Sequence, residues 1–262
     1  MTELGLEEAP LARLGAGSLA RRLPNTSIAL SGPGDEPVPR KYPARVLQAM
    51  DDTTIGEVAI RPAKRSMPMP WKTIGPLDDA MTIPIQMESR LALGPTDLNE
   101  LDALSSVPGD AFDAIEIASG TDVSVEQIAA LAHFHDLRSL DLCGTTLRPG
   151  ALASLGGFHQ LESLSLANAR FDPAELWVLR KLRKLKRVDL SGTGAGDEAM
   201  PSLASLPHLS DVLVNDNMTF SDVGAAYVSR MKGLKRLEAR GSRISANGVR
   251  AVTRAPRVEY VD

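Results

Sequence analysis

The strongest pattern along the chain is a short alternation of apolar and polar residues that returns at a fixed interval. Leu137-Arg138-Ser139-Leu140-Asp141-Leu142, Leu161-Glu162-Ser163-Leu164-Ser165-Leu166 and Leu185-Lys186-Arg187-Val188-Asp189-Leu190 each begin 24 residues after the one before. The series continues at Leu209–Val214, arrives one residue late at Leu234–Ala239 and ends at Val258–Asp262. Upstream it extends through Phe112–Ile117 and, more weakly, Glu88–Leu93, so that eight phases keep step and define an internal repeat. Alternation with period two predicts a strand with apolar residues inward and polar residues outward. Between strands, apolar residues at helical spacing predict return helices: Ile128, Leu131 and Phe134; Leu152 and Leu155; Leu176, Leu179 and Leu182; Leu203 and Leu206. Asp172-Pro173 and Ser221-Asp222 read as helix starts, Gly156-Gly157 and Gly233 as ends.

The repeat has the form L-x-x-L-x-L-x-x-N/C-x-L and resembles the leucine-rich repeat family over residues 88–262. The resemblance implies an α/β solenoid, a curved arc of about seven repeats with a parallel sheet on its concave side and short helices on its convex side. Where many members of that family place Asn, this chain has Thr145, Ala169, Thr193, Asn217 and Ser242. Thr and Ser replace the amide weakly by bonding nearby backbone, and Ala169 cannot replace it at all. The loops at Gly144-Thr145-Thr146-Leu147 and Gly192-Thr193-Gly194 are similar to the bacterial, helix-backed variant, with a ribonuclease-inhibitor-like arc.

Residues upstream of the repeats do not share the period. Residues 1–45 read as a mobile leader with a short helix around Leu11–Leu23, followed by the Pro- and Gly-rich stretch Ser31–Pro39. Residues 46–87 read as an N-terminal cap with one or two strands, from the alternation at Thr54–Ile60 and Thr82–Ala92, because the first strand of a solenoid is otherwise an open edge. Trp71 reads as the anchor of that cap. No corresponding C-terminal cap is evident, which leaves the last strand as an edge for end-to-end self-association.

Projecting the alternation onto a sheet gives three outward columns. The middle one reads Ala92, Glu116, Asp141, Ser165, Asp189, Leu213, Glu238 and Asp262, of which five are acidic. The flanks hold Arg187, Asp211 and Arg236 on one side and Asn215 and Arg240 on the other, and the centre is floored by Ser139, Cys143, Ser163, Ser165 and Ala167. The expected partner site is therefore Glu116, Asp141, Arg187, Asp189, Asp211, Leu213, Asn215, Arg236, Glu238 and Arg240, with Leu213 as an exposed apolar hot spot.

Composition narrows the functional classes. Ten aromatic residues in 262, against 43% hydrophobic residues, fit a leucine-based repeat better than a sandwich or barrel. The net charge of −4 argues against nucleic acid as a partner, although Arg180–Arg187 places six basic residues in eight without an interleaved aromatic platform. The acidic start Met1–Glu8 lacks a signal-peptide pattern, and no apolar run reaches membrane-spanning length, so the expected location is cytoplasmic. A single cysteine, Cys143, excludes an intrachain disulfide. The Gly192-Thr193-Gly194-Ala195-Gly196 loop lacks the lysine of a phosphate-binding loop, and His133-Phe134-His135-Asp136 lacks a metal-site helix. No catalytic set, metal site or cofactor is expected. The reading is a non-catalytic module binding a protein or peptide on the concave face. The alternative is an accessory or regulatory subunit of an enzyme complex, or a small enzyme with its site in the N-terminal segment. An F-box adaptor is disfavoured by the Pro- and Gly-interrupted leader.

Overall fold

The computed structural model describes residues 44–47, 55–63, 70–77, 81–84, 87–254 and 260–261. The repeat produces a run of parallel strands: β5 (Met87–Leu93), β6 (Ala114–Ile117), β8 (Ser139–Asp141), β10 (Ser163–Ser165), β11 (Arg187–Asp189), β12 (Asp211–Leu213), β13 (Arg236–Glu238) and β14 (Tyr260–Val261). Upstream, β2 (Ile55–Pro62) pairs antiparallel with both β5 and β3 (Lys72–Leu77), which completes a ten-stranded sheet in the order β3-β2-β5-β6-β8-β10-β11-β12-β13-β14. β1 (Ala44–Leu47) and β4 (Met81–Pro84) form a separate antiparallel pair, and β7 (Asp122–Val123) pairs with β9 (Thr146–Leu147).

The segment expected as one strand over Thr82–Ala92 is thus two strands in different sheets. Four strands begin before residue 87 where one or two were expected. The helix placed at Leu11–Leu23, the Ser31–Pro39 stretch, nearly all of the leader and Asp262 lie outside the described residues.

The inward residues of successive strands, Leu140, Leu164, Val188, Val212 and Leu237, form one apolar row, each at most 1% exposed. Leu137, Leu161, Leu185, Leu209 and Leu234 enter the core just ahead of each strand. The return segments are α1 (Val125–Leu131), α2 (Ala151–Ser154), α3 (Met200–Leu203), α4 (Asp222–Val228) and α5 (Ala246–Thr253), with 3₁₀ turns at Asp97–Asn99, Leu101–Ser106, Leu155–Gly157 and Pro173–Lys181. All the stripe residues named above are buried. The returns after β5 and β10 are 3₁₀ throughout and the one after β8 ends in 3₁₀, tighter than the α-helix, since a repeat this short leaves few residues to cross back over the sheet. Asp172 and Ser221 do cap their segments, accepting from the Ala174 and Val223 amides at 2.9 and 3.2 Å, and Ser124 with Gln127 forms a capping box on α1.

Neighbouring returns are tied by carboxylates. Asp197 Oδ1 accepts from the Ser221 and Gly224 amides at 2.9 and 2.7 Å while Oδ2 accepts from the Ser221 hydroxyl at 2.6 Å, which secures the start of α4. One repeat on, Asp222 repeats the motif on the Ser245 amide and hydroxyl at 2.8 and 2.6 Å, at the start of α5. Glu175 reaches backward to the Gly150 and Ala153 amides at 2.6 and 2.9 Å, at the start of α2. These bonds satisfy first-turn donors that a short helix otherwise leaves open.

The loops after the strands are equally repetitive. Residues 144, 168, 192, 216 and 241 form a left-handed column of Gly, Asn, Gly, Asp and Gly, with φ from 54 to 68°. A Cβ on Gly192 would come 2.2 Å from Asn168 Oδ1, so the glycine is required by both its φ and the preceding side chain.

At the Asn position of the repeat, Thr145 and Thr193 donate to the Leu142 and Leu190 carbonyls of their own loops, at 2.7 and 2.6 Å. Asn217 reaches back one repeat to the same Leu190 carbonyl at 2.7 Å. Ala169 cannot make that reach to Leu142, and Thr145 supplies the bond from within its own loop.

Candidate functional site

The sheet face opposite the return segments brings the projected columns into register. Ser139, Ser163, Arg187, Asp211 and Arg236 are successive partners, as are Glu116, Asp141, Ser165, Asp189, Leu213 and Glu238. Adjacent strands lie about 4.8 Å apart, so each column is a continuous row of side chains. The strands carry Cys143, Ala167, Ser191, Asn215 and Arg240 onto the loops at their C-terminal ends.

The acidic row has local work in the fold. Asp141 Oδ1 accepts from the Cys143 amide at 2.9 Å and Asp189 Oδ1 from the Ser191 amide at 3.0 Å, so each closes the turn two residues on. Glu116 pairs with Arg90, and Glu238 with Arg236. Asn215 donates to Glu238 Oε2 at 3.0 Å and accepts from the Arg240 amide at 2.9 Å. The Asn215 amide, followed by Arg236 and Arg187, holds the Glu238 carboxyl below its ordinary range. Asp211 bonds the Ser210 hydroxyl. The carboxylates are therefore partly neutralised at both ends of the row, and the unneutralised pair is Asp141 and Asp189 in the middle.

Leu213 is a correction. Expected to stand exposed, it is 6% exposed, flanked in register by Asp189 and Glu238. It belongs to the floor of the face and presents no hot spot. Cys143 is half-buried; burial, then the carboxylates of Asp141 and Asp189, push its thiol pKa up. That field disfavours the thiolate a nucleophile needs.

Trp71 continues the face beyond the repeats, with the Arg61 and Arg90 guanidinium carbons 4.2 and 5.4 Å from its ring centroid. Arg61 bonds Glu88 at 2.7 Å and Arg90 bonds Glu116, so charged pairs on β2, β5 and β6 run into the ladder. The sequence placed Trp71 against the first strands but gave no sign of this stacking, since Arg61 and Arg90 lie in segments of unrelated pattern. An open cleft of about 450 Å³ lies among Gly56, Glu57, Ala92, Asp97 and Glu116.

His133 Nε2 lies 2.7 Å from the Val107 carbonyl and His135 meets Asp136 at 3.3 Å, on exposed turns. Among the described residues no three His, Cys, Asp or Glu side chains are grouped to hold a metal ion. None of their helices is long and apolar enough to cross a membrane.

No protein-family model and no curated protein sequence matches this chain. Among solved structures it is similar to the plant peptide hormone receptor RGFR1 in complex with RGF2, with a TM-score of 0.41 and 11% identity over 66% of this chain. The match covers 26% of the receptor chain, so this chain spans about a quarter of that protein's length. The long, mostly parallel sheet, its in-register apolar row and its short return helices fit a leucine-rich-repeat-like α/β fold.

Proposed function

We propose that this chain is a non-catalytic protein-interaction module: a curved leucine-rich solenoid of the 24-residue, helix-backed bacterial type, working in the cytoplasm. In this reading residues 88–262 form the arc, residues 46–87 cap it and residues 1–45 lead into it. A protein or peptide lies on the concave sheet face. The observation that carries the proposal is the register of the outward columns, which assembles a continuous floor of the small residues Ser139, Ser163 and Ser165 bordered by charged residues. Small residues admit a partner's backbone closely. Asp141, Asp189 and Arg187 stand beside them, and the Asn215 and Glu238 side chains are held by a mutual bond, which lowers the entropy lost when a partner docks.

The test is affinity capture from source-cell lysate with the wild type and with Ser139→Arg/Ser163→Arg, which fills the floor without removing a side-chain bond. Partners lost with the filled floor support the face as the site. Equal recovery by a variant with an unchanged circular dichroism spectrum refutes it.

A further inference from the structure

The edge where the return segments lead into the strands carries a charge unlike that of the sheet face. After the 3₁₀ segment Pro173–Lys181 the chain turns into β11, and Arg180, Lys181, Arg183 and Lys184 are all exposed there. Lys186 is met by Glu162 of the preceding repeat at 2.7 Å, and Lys184 bonds the neutral Gln160. Residues 176–188 contain no carboxylate, and the adjacent repeats bring exposed His159 and His208 to this rim. Four cations therefore stand together in an otherwise acidic protein.

No aromatic residue is interleaved in the basic run, but one ring stands just ahead of it. Trp177 is 42% exposed, and Lys181 Nζ lies 5.0 Å from its ring centroid. Arg180 Nε donates to the Trp177 carbonyl at 3.2 Å, which holds that arginine beside the ring. A 3₁₀ turn aligns residues three apart, which puts Arg180 over Trp177, and the long Lys181 side chain reaches the ring from the next position.

We infer that this rim is a second docking surface, separate from the sheet face, for an acidic polypeptide segment carrying an apolar residue among its Asp and Glu. Tryptophan and arginine are the side chains that dominate interface energetics, the ring supplying apolar area and the guanidinium groups binding carboxylates bidentately. An extended strand presents alternate side chains about 6.7 Å apart on one face, so several carboxylates of one segment can face the rim together. Nucleic acid fits less well. One face of the single ring is taken by Lys181, so no row of stacking platforms exists, and the net charge of −4 repels a long polyanion while a short segment meets only the local field.

The test is fluorescence anisotropy at about 50 mM salt, where screening is weak over the width of the rim. The probes are a labelled peptide with one Leu between runs of Asp and Glu, the same peptide with Asn and Gln in their place, and oligo-dT. The full chain is expected to bind the acidic peptide, with Arg180→Glu/Arg183→Glu weakening it at least about tenfold and Trp177→Ala at least about threefold. Ser139→Gln/Ser163→Gln, which fills the sheet face without adding charge, is expected to leave it within about twofold, so failure of the rim and failure of the sheet-face reading are told apart. Absence of binding, equal binding of the Asn and Gln peptide, tighter binding of oligo-dT, or dependence on the sheet-face substitutions would each overturn the inference.

Discussion

Asp197 is the sharpest place to test whether repeat-to-repeat capping holds the C-terminal half together. Asp197→Ala removes three bonds to the start of α4, from the Ser221 amide and hydroxyl and the Gly224 amide. A lost helix cap costs about 1 kcal/mol, and a hydrogen bond to a charged group contributes about 1.5–3 kcal/mol. Asp197 is half-buried, so water replaces part of this, and the net loss is expected near 2 kcal/mol. With a urea slope of about 2 kcal/mol/M, the midpoint falls by about 1 M, and amide exchange quickens first over Ser221–Val228.

The same geometry predicts a coupling. A Cβ on Gly224 would come 2.4 Å from Asp197 Oδ1 and 2.7 Å from the Phe220 ring. Gly224→Ala alone is therefore destabilising, and in the Asp197→Ala background the carboxylate conflict disappears while the Phe220 contact remains. The two losses are expected to fall short of additive by about 1 kcal/mol. A midpoint shift under about 0.25 M for Asp197→Ala, or additivity within about 0.3 kcal/mol, refutes the capping argument.

Other outcomes follow from the same structure. Bonds from the Ser245 hydroxyl and amide hold the Asp222 carboxyl below its ordinary range; a depressed folded-state pKa means the stabilisation is present above the unfolded value of about 3.9 and is lost as the pH falls through the folded one. Urea midpoints are expected to drop on acidification below about pH 4 in the wild type and to do so less in Asp222→Asn. Asn168→Gly relieves a left-handed residue at φ 56° and is expected to raise stability by about 0.5–1 kcal/mol in thermal unfolding, a gain absent if the Asn168 side chain contributes more than its strain costs. Cys143 is expected to alkylate slowly at neutral pH and faster in Asp189→Asn, with a lower apparent thiol pKa; an unchanged rate profile would show that the carboxylate does not set the field there.

The repeat was legible because the spacing of apolar residues encodes it directly. Leu140, Leu164 and Val188 announce their row by recurrence alone, and the outward columns follow from alternation once the strands are placed. What recurrence could not carry was length-dependent geometry: Pro173–Lys181 has a helical apolar stripe yet closes as a 3₁₀ turn. Side-chain reach was also hidden. Leu213 reads as exposed from its column, yet it is 6% exposed, which alternation alone does not show. The Asp197 and Asp222 staples link residues 23 to 27 positions apart, and their trace in the sequence is the paired glycines Gly224 and Gly248, whose missing Cβ atoms make room for the carboxylates. Upstream of Met87 no period exists to guide a reading, and the split of Thr82–Ala92 between two sheets depends on pairing partners that alternation does not specify.

The antiparallel strand β2 gives the array a direction of growth. A duplicated unit of 24 or 25 residues brings in a strand, a return and a loop that fit a parallel neighbour on either side, so it can be accepted anywhere between β5 and β14. Placed between β2 and β5, the same unit would have to break six paired positions whose opposite strand polarity no repeat reproduces. Heritable lengthening of this protein is thereby confined to one side of Met87, and variants that differ in repeat number are expected to share the β2–β5 junction.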